Sequence, residues 1–154
     1  DDKTRYRLFT EVMAHVDAVD LELSSEELVK GLRPLIKEKG KVLILSYHNF
    51  KETPGETFLE GLYRRAERGG ADIIKIAVTA NSREDFVRMA IFTINHRKDN
   101  IITISMGEYG AISRLVLPAL GSLITYASIT KASAPGQISV RELKNAFSVF
   151  EVRR

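Results

Sequence analysis

Cysteine is absent from this sequence of 154 residues. Disulfides and thiolate metal sites are therefore excluded, and a cytoplasmic location is expected. No run is both long enough and free enough of charge to span a bilayer, and no secretory signal pattern opens the chain. The three histidines, His15, His48 and His96, lie far apart without ligand spacing. We therefore expect no bound metal and no membrane partner.

An excess of one charge is also lacking, since 23 Lys and Arg residues and 20 Asp and Glu residues leave a net charge of +3. Basic pairs such as Arg64-Arg65 are short, and no basic helix carries the interleaved aromatic residues that stack on bases. The charge permits a small anionic substrate, and we expect no nucleic-acid partner. The length and a hydrophobic content of 44% fit one domain over residues 1–154.

Apolar, strand-like runs alternate with helical patterns along the chain. The predicted strands are Val16–Leu23, Val42–His48, Asp72–Val78, Ile101–Met106 and Ser122–Ser128. Helices are predicted in the gaps between the strands, and their ends carry signals such as the Gly69-Gly70 stop, the Asn81-Ser82 start and the Ser139–Glu142 capping box. This alternation predicts an α/β fold in which helices cover a parallel sheet.

Alternate residues of a strand point to opposite faces of the sheet. In the predicted strands one face is nearly all apolar, whereas the other carries polar side chains toward the carboxyl end. The polar side chains on this second face are Asp20, Glu22, Ser46, His48 and Lys75. Such a pattern is typical of a (β/α)8 barrel, whose chemistry lies at the carboxyl ends of the strands. A doubly wound sheet would normally offer a glycine-rich phosphate turn, and no G-x-G-x-x-G segment is present.

Lys75 interrupts the apolar run that extends from Ile73 to Val78. An ammonium in apolar surroundings loses hydration, which favours the neutral amine, and a neutral lysine is a nucleophile toward ketones and aldehydes. The sequence therefore suggests Schiff-base chemistry at Lys75. A lysine on a strand edge, or one that extends its charged end into water, is the alternative interpretation.

Three further segments carry candidate residues. His48 ends a predicted strand and is suited to act as a general base, or it is a structural loop histidine. Arg114 falls near the start of the helix after the fourth strand, where it suits a carboxylate, unless it is a surface residue paired with Glu108. Ser133 and Gln137 lie in a Pro-Gly loop and could bind hydroxyl groups, or the loop is only a connector.

Together these segments resemble type I 3-dehydroquinate dehydratase, the class that forms a Schiff base. The matching stretches, in the order and spacing of the family, are SYHNFKETP, ADIIKIAV, ITISMGEYGAISRL and KASAPGQIS, preceded by VDAVDLEL. The resemblance covers essentially the whole chain, and the SAPGQ and SMG-x-x-G-x-x-SR segments are its most specific parts.

The resemblance implies an enzyme of the shikimate pathway and of aromatic amino acid biosynthesis, a lyase that converts 3-dehydroquinate to 3-dehydroshikimate. Lys75 would form an imine with the C3 ketone, and His48 would remove a C2 proton and assist imine formation and hydrolysis. Imine formation makes the ketone an electron sink, so the C1 hydroxyl can leave as water without a metal or a diffusible cofactor.

The same resemblance implies a set of residues that contact substrate. Arg114 would hold the carboxylate, with Ser133 and Gln137 on a lid loop that contacts substrate oxygens. Met106 would line the pocket, and a second methionine of the family is replaced here by Ile104. Asp20 and Glu22 match acidic residues near the site.

The sequence also departs from the family, because the early-strand segments that carry a substrate-binding Glu and Arg, and a Glu that orients the histidine, are missing. We therefore expect a partial (β/α)8 barrel of about five C-terminal βα units that lacks the N-terminal strands. Lumen residues such as Ile44 and Ile102 should then be partly uncovered. Family members are often dimers, which makes a homodimer an expectation.

Two alternative functions remain open on the sequence alone. One is another Schiff-base barrel of the class I aldolase type, which would use Lys75 in the same way but would not carry the SAPGQ segment. The other is a catalytically incomplete fragment of a barrel that acts only in binding, because the early-strand groups are absent.

Overall fold

The computed structural model describes residues 1–132 and 134–150. Six α-helices lie in these ranges, and they are α1 (Asp2–Val12), α2 (Glu26–Glu38), α3 (Glu56–Arg68), α4 (Arg83–Asn95), α5 (Ser113–Leu120) and α6 (Val140–Phe150). A short 3-10 helix at Met13–His15 follows α1. The strands are β1 (Ala18–Glu22), β2 (Val42–Asn49), β3 (Ile73–Thr79) and β4 (Ile101–Met106). They form one parallel sheet in the order β1-β2-β3-β4.

Four of the five predicted strands are confirmed, and the fifth is wrong. Within the segment predicted as Ser122–Ser128, the Leu123 N–H donates to the Ile101 carbonyl of β4 at 2.8 Å. The Thr125 hydroxyl then donates to the Arg114 carbonyl at 2.9 Å, and Ser128 makes only an isolated bridge with Ser139. The segment therefore leaves β4 after a single backbone hydrogen bond, and the described residues contain four strands instead of the five predicted.

The predicted helix ends are confirmed by their hydrogen bonds. The Ser82 hydroxyl accepts from the Asp85 N–H at the start of α4, at 3.2 Å. At the start of α6 the Ser139 and Glu142 side chains form the predicted capping box, in which each side chain accepts a hydrogen bond from the backbone N–H of the other residue. Gly70 follows α3 with a φ of 81°, a left-handed conformation that favours glycine.

Residue contacts divide the chain into two compact units, of which unit 1 comprises Asp1–Tyr47 and Glu60–Lys75. Its sheet register pairs Asp20 with Ile44 and Glu22 with Ser46. The apolar face of α2 is spaced at helical intervals and is buried together with the apolar faces of β1 and β2. The buried apolar residues of this face are Val19, Leu21, Leu28, Val29, Leu32, Ile36, Leu43 and Leu45.

Unit 2 comprises His48–Leu59 and Ile76–Arg154, of which residues 133 and 151–154 lie outside the described ranges. All six residues of β4 are buried, and both α4 and α5 contact this strand. The buried Thr93 and Thr103 hydroxyls lie 2.7 Å apart and join α4 to β4 by a hydrogen bond. Because β4 is buried along its whole length, it provides a rigid base for the residues that follow it.

The expectation that Ile44 and Ile102 would be partly uncovered is wrong, since they are 7% and 0% exposed. For Ile44 the cause lies in unit 1. Its partner in register is Asp20 on β1, and Lys75 on β3 reaches across β2 to the Asp20 carboxylate. The Lys75 and Asp20 side chains therefore cover Ile44 on that face of the sheet.

Candidate functional site

Lys75 in unit 1 forms an ion pair with Asp20. Its Nζ atom lies 2.8 Å from Asp20 Oδ2, although the two residues are on strands separated by β2. Adjacent strands lie about 4.8 Å apart, so the extended lysine and the shorter aspartate together span two strand spacings. The side chain of Lys75 is 12% exposed and that of Asp20 is 35% exposed. The amine is thus held in a defined place on the sheet.

The second acidic residue of β1 lies beside a different partner. Ser46, which is 2% exposed, donates from its hydroxyl to Glu22 Oε2 at 3.3 Å and is 3.4 Å from the Leu21 carbonyl. Glu22 and Ser46 are paired in register between β1 and β2. The carboxyl ends of these two strands therefore present a hydrogen-bonded carboxylate one row beyond the Lys75–Asp20 pair.

His48 in unit 2 is the penultimate residue of β2, and its side chain is half-buried. Its ring stacks on Phe50, with ring centroids 6.2 Å apart and planes inclined by 11°. Phe50 is itself 65% exposed, so this stacked pair lies at the protein surface. Asn49 Oδ1 accepts from the N–H groups of Lys51 and Glu52, at 2.9 and 3.2 Å. These bonds form a local turn directly after the histidine.

The segment after His48 is also held by three side chains, which we call the loop clamp. They come from the end of β3, from the turn before α4 and from α4 itself. Each donates to a backbone carbonyl: Thr79 Oγ1 to Asn49 at 3.1 Å, Asn81 Nδ2 to Lys51 at 2.7 Å and Arg88 Nη1 to Thr53 at 3.4 Å. In return the Thr53 hydroxyl donates to the Thr79 carbonyl at 2.9 Å. Alternate carbonyls of the loop are thus each bound by a separate side chain.

Asp85 organises two members of the loop clamp. One carboxylate oxygen lies 2.8 Å from Arg88 Nη1, and the other accepts from the Asn81 N–H at 2.9 Å. Sequence reasoning identified the Asn81-Ser82 start of α4 and did not assign these residues a role beside His48. The only local signal is the cluster of Asn, Ser and Asp at the helix start, which is equally typical of an ordinary cap.

Arg114 lies in the first turn of α5 and is only 2% exposed. Burial lowers the pKa of this arginine from its ordinary value. Its Nε atom has no hydrogen-bond partner among residues 1–132 and 134–150. Glu108, the partner considered for a surface arginine, is exposed, and Arg114 is not a surface residue. A buried guanidinium with a free donor is suited to receive an anion.

The backbone before Arg114 is fixed by its neighbours. The Ser113 hydroxyl donates to the Ser105 carbonyl at 2.8 Å and accepts from the Ser105 N–H at 3.2 Å. A Cβ atom on Gly110 would lie 2.4 Å from the Met106 carbonyl, so only glycine fits there. Met106 ends β4 and is 2% exposed. These contacts set the tight turn between β4 and α5.

The Pro-Gly loop packs against this turn within unit 2. The Gly107 N–H donates to the Pro135 carbonyl at 3.3 Å, and a Cβ on Gly136 would lie 2.6 Å from the Gly107 carbonyl. The Gln137 N–H donates to the Ala134 carbonyl at 3.2 Å, and Gln137 is half-buried. Ser133, the other predicted substrate-binding residue of this loop, lies outside the described residues.

The predicted site residues are therefore distributed over both units. Unit 1 brings Lys75 and Asp20 together and holds Glu22 close to Ser46. In unit 2 the structure describes His48, Met106, Arg114 and Gln137. Within the ranges that the structure describes, no group of three or more His, Cys, Asp and Glu side chains is arranged to hold a metal. No helix in those ranges is long and apolar enough to cross a membrane.

The motifs that carry these residues also match known proteins. Residues 1–154 match a family model described as "Type I 3-dehydroquinase". The chain belongs to this family. The resemblance inferred from its motifs is thereby confirmed, and so is the α/β fold with a parallel sheet.

Individual relatives show the same similarity. The chain is 39% identical over 151 residues to 3-dehydroquinate dehydratase of Thermodesulfovibrio yellowstonii, covering 98% of this chain and 66% of the relative. It is 46% identical over 141 residues to the Aquifex aeolicus protein of that name, and the match covers 92% of this chain and 64% of the relative. The crystal structure of Geobacillus kaustophilus 3-dehydroquinate dehydratase matches with a TM-score of 0.91 at 34% identity, and the match covers 98% of this chain and 61% of that structure's chain. The chain thus spans slightly less than two thirds of each.

Proposed function

We propose that this chain carries the Schiff-base site of a 3-dehydroquinate dehydratase, which converts 3-dehydroquinate to 3-dehydroshikimate and water. The observation that carries the proposal is Lys75, a 12% exposed lysine side chain held by Asp20 on the predicted inner face of a sheet with the family fold. A lysine amine fixed in a largely water-excluded place is suited to attack a ketone.

In the proposed reaction Lys75 first gives a proton of its ammonium group to the Asp20 carboxylate. The neutral amine then adds to the C3 ketone, and loss of water gives an imine. The imine withdraws electrons from C2, so His48 can remove a C2 proton and leave an enamine. Electrons from the enamine then expel the C1 hydroxyl, which leaves as water with the proton that His48 took from C2. Hydrolysis of the imine releases 3-dehydroshikimate and restores Lys75.

We propose that Asp20 orients the Lys75 amine, because its carboxylate is the acceptor that fixes the Nζ atom at 2.8 Å. Glu22 is assigned to the edge of the same pocket, where its bond to Ser46 holds it. The loop clamp supports the role of His48, because it restricts the backbone that directly follows the histidine. A proton-transfer group acts efficiently only when its geometry is fixed in this way.

Arg114 is proposed to bind the substrate carboxylate. Leaving a buried guanidinium without a counter-charge is costly, and an anion that accepts from Nε offsets that cost. Met106 would line the pocket beside it, and Gln137 would contact a substrate oxygen from the Pro-Gly loop. Ser133 is assigned the same role on the basis of the family motif.

The remaining parts of the proposal concern the domain organisation, the location, the cofactor and the oligomeric state. We infer one domain over residues 1–154 that forms part of a (β/α)8 barrel and operates in the cytoplasm without a cofactor. Family membership supports the barrel, and the lack of cysteine suits a reducing compartment. We also propose that the protein is a homodimer.

Borohydride trapping with 3-dehydroquinate tests the proposed function. Reduction should convert the imine to a stable amine and add a substrate-derived mass to the peptide that contains Lys75. Labelling of another lysine would contradict the assignment. An aldolase-type enzyme would be trapped by a different carbonyl compound and not by 3-dehydroquinate.

The second candidate is a protein of this fold that only binds substrate, and the buried Arg114 guanidinium, whose Nε lacks a partner among the described residues, is the observation that favours it. Measuring 3-dehydroquinate binding by calorimetry, alongside trapping, separates this candidate from the enzyme. Binding without any trapped product would identify the binding function and reject Schiff-base chemistry.

A further inference from the structure

The Asp85 side chain in unit 2 uses its two oxygens for two different partners. Oδ2 accepts from the Asn81 N–H at 2.9 Å, and Oδ1 lies 2.8 Å from Arg88 Nη1. Only 17% of the Asp85 side chain and 28% of the Arg88 side chain are exposed. The Arg88 and Asn81 side chains in turn donate to carbonyls of the loop, those of Thr53 and Lys51. One carboxylate therefore sets the position of two of the three donors of the loop clamp.

An ordinary helix cap does not require this arrangement. At the start of α6 the Glu142 carboxylate accepts from both the backbone N–H and the hydroxyl of Ser139, so that cap closes on itself. At the start of α4 the Ser82 hydroxyl provides the cap, since it accepts from the Asp85 N–H. The bond from the Asp85 carboxylate to Arg88 therefore adds nothing to the cap, and instead fixes the guanidinium that holds the loop.

Phe50 connects the held loop to the His48 ring. The carbonyls of its two neighbours, Asn49 and Lys51, are both bound by the loop clamp. The backbone on each side of Phe50 is thereby fixed, and its ring stacks on the His48 imidazole with the planes inclined by 11°. A stacked aromatic ring that is itself held in place favours one orientation of the imidazole. The position of the loop is thus transmitted to the plane of the His48 ring.

We propose that Asp85 is a positioning residue that acts through the loop after His48 and holds the His48 imidazole in the orientation required to remove the C2 proton. The inference rests on the proposed function, because it assigns Asp85 to the proton transfer by His48. Asp85 does not touch the substrate in this assignment. Its loss should therefore slow proton transfer without weakening the binding of 3-dehydroquinate.

Asp85→Asn tests this role with a side chain of nearly the same volume. The amide keeps a single acceptor oxygen, so either the Asn81 N–H or the Arg88 guanidinium loses its partner. We expect kcat for 3-dehydroshikimate formation to fall about ten- to a hundredfold, because a misplacement of about 1 Å can cost that much, while KM changes by less than about twofold. The matched control is Asp2→Asn, because Asp2 also lies in the first turn of a helix, α1, and pairs with an arginine three residues later. This control should have the kcat and KM of wild type.

Three measurements distinguish positioning from a general loss of folded protein. Borohydride trapping at Lys75 with excess 3-dehydroquinate should reach the wild-type extent in Asp85→Asn, which shows that every site is still competent. In a His48→Ala background, Asp85→Asn should change kcat by less than about twofold, because the group that it positions is already absent. Amide hydrogen exchange in the loop after His48 should quicken in Asp85→Asn and stay as in wild type in the control.

The outcomes separate this inference from the proposed function. If Asp85→Asn leaves kcat unchanged, or lowers it by the same factor with and without His48, Asp85 does not act through His48. The inference is then rejected and the proposed function stands. Unchanged hydrogen exchange in the loop also rejects the inference, because Asp85 would not be holding the loop. If His48→Ala turns over like wild type, or if wild type traps no substrate at Lys75, the proposed function fails, and this role for Asp85 fails with it.

Discussion

Units 1 and 2 each hold one cation with little exposure, and the two cations are treated differently by their surroundings. Lys75 in unit 1 is paired with Asp20 at 2.8 Å. Arg114 in unit 2 is 2% exposed, and its Nε atom lacks a partner among the described residues. A satisfied cation can be held in place without a ligand, whereas a buried cation with a free donor gains most from binding an anion. The difference supports the proposals that Lys75 carries out the covalent chemistry and that Arg114 binds an anion.

The largest expected effect comes from removing the amine of unit 1. Lys75→Ala should abolish borohydride trapping of 3-dehydroquinate, because no other lysine lies on β3. Intact-protein mass after reduction measures the loss. The control Lys144→Ala removes an exposed lysine of α6 and should trap like wild type. Undiminished trapping in Lys75→Ala would show that Lys75 does not form the imine, and the proposed division of roles between Lys75 and Arg114 would fail.

The next effect concerns His48, the proposed proton-transfer group in unit 2. His48→Ala should lower the rate of 3-dehydroshikimate formation by roughly 10²–10⁴-fold, the usual contribution of a positioned acid or base. The rate is followed by the enone absorbance of the product. His15→Ala changes an exposed histidine and serves as the control. A rate close to wild type in His48→Ala would show that another group moves the proton.

Arg114→Lys should weaken 3-dehydroquinate binding by about tenfold or more, because lysine cannot reproduce the bidentate guanidinium fork. Calorimetric titration of each variant gives the dissociation constant. Arg141→Lys makes the same exchange at an exposed position of α6 and should bind like wild type. Unchanged affinity in Arg114→Lys would show that the buried guanidinium is structural.

Two substitutions compare what the Lys75–Asp20 pair and the Arg114 guanidinium contribute to the free energy of unfolding. Asp20→Asn removes the carboxylate that pairs with Lys75 Nζ and should lower the free energy of unfolding by about 1–3 kcal/mol. Arg114→Met removes a buried guanidinium whose Nε lacks a partner among the described residues, and it should leave the free energy of unfolding nearly unchanged or raise it by up to about 2 kcal/mol. Denaturant unfolding measures both.

The control for Asp20→Asn is Glu27→Gln, which breaks the exposed Lys30–Glu27 pair and should leave the free energy of unfolding nearly unchanged. If Asp20→Asn is as mild as this control, the Lys75–Asp20 pair behaves as an ordinary surface ion pair. The contrast between the two cations would then be lost.

The smallest expected effect is in the loop clamp. Asn81→Ala removes the donor to the Lys51 carbonyl and should cost about 1 kcal/mol. It should also speed hydrogen exchange at the Lys51 and Glu52 amides. Thr10→Ala removes another side-chain bond to a backbone carbonyl, in α1, and should leave exchange in the loop unchanged. Equal exchange in both variants would show that the clamp does not restrict the loop after His48.

Local patterns predicted most of the fold. The four strands found by their apolar runs and the helix starts at Ser82 and Ser139 depend on neighbours in sequence, so they could be inferred without a structure. The fifth predicted strand failed because an apolar run becomes a strand only when a partner continues to pair with it. After Leu123 that pairing ends, and the Thr125 hydroxyl binds Arg114 instead.

The sequence by itself determined the family, the α/β alternation and the candidate residues, because motif spacing and side-chain periodicity are local properties of the chain. Only the tertiary structure decided that Lys75 reaches across β2 to Asp20, that the Arg114 guanidinium is buried with a donor lacking a partner among the described residues, and that Arg88 of α4 binds the loop after His48. Each of these depends on contacts between residues far apart in sequence. Periodicity places a residue on a face of a strand or helix, and packing alone selects the atoms that it meets there.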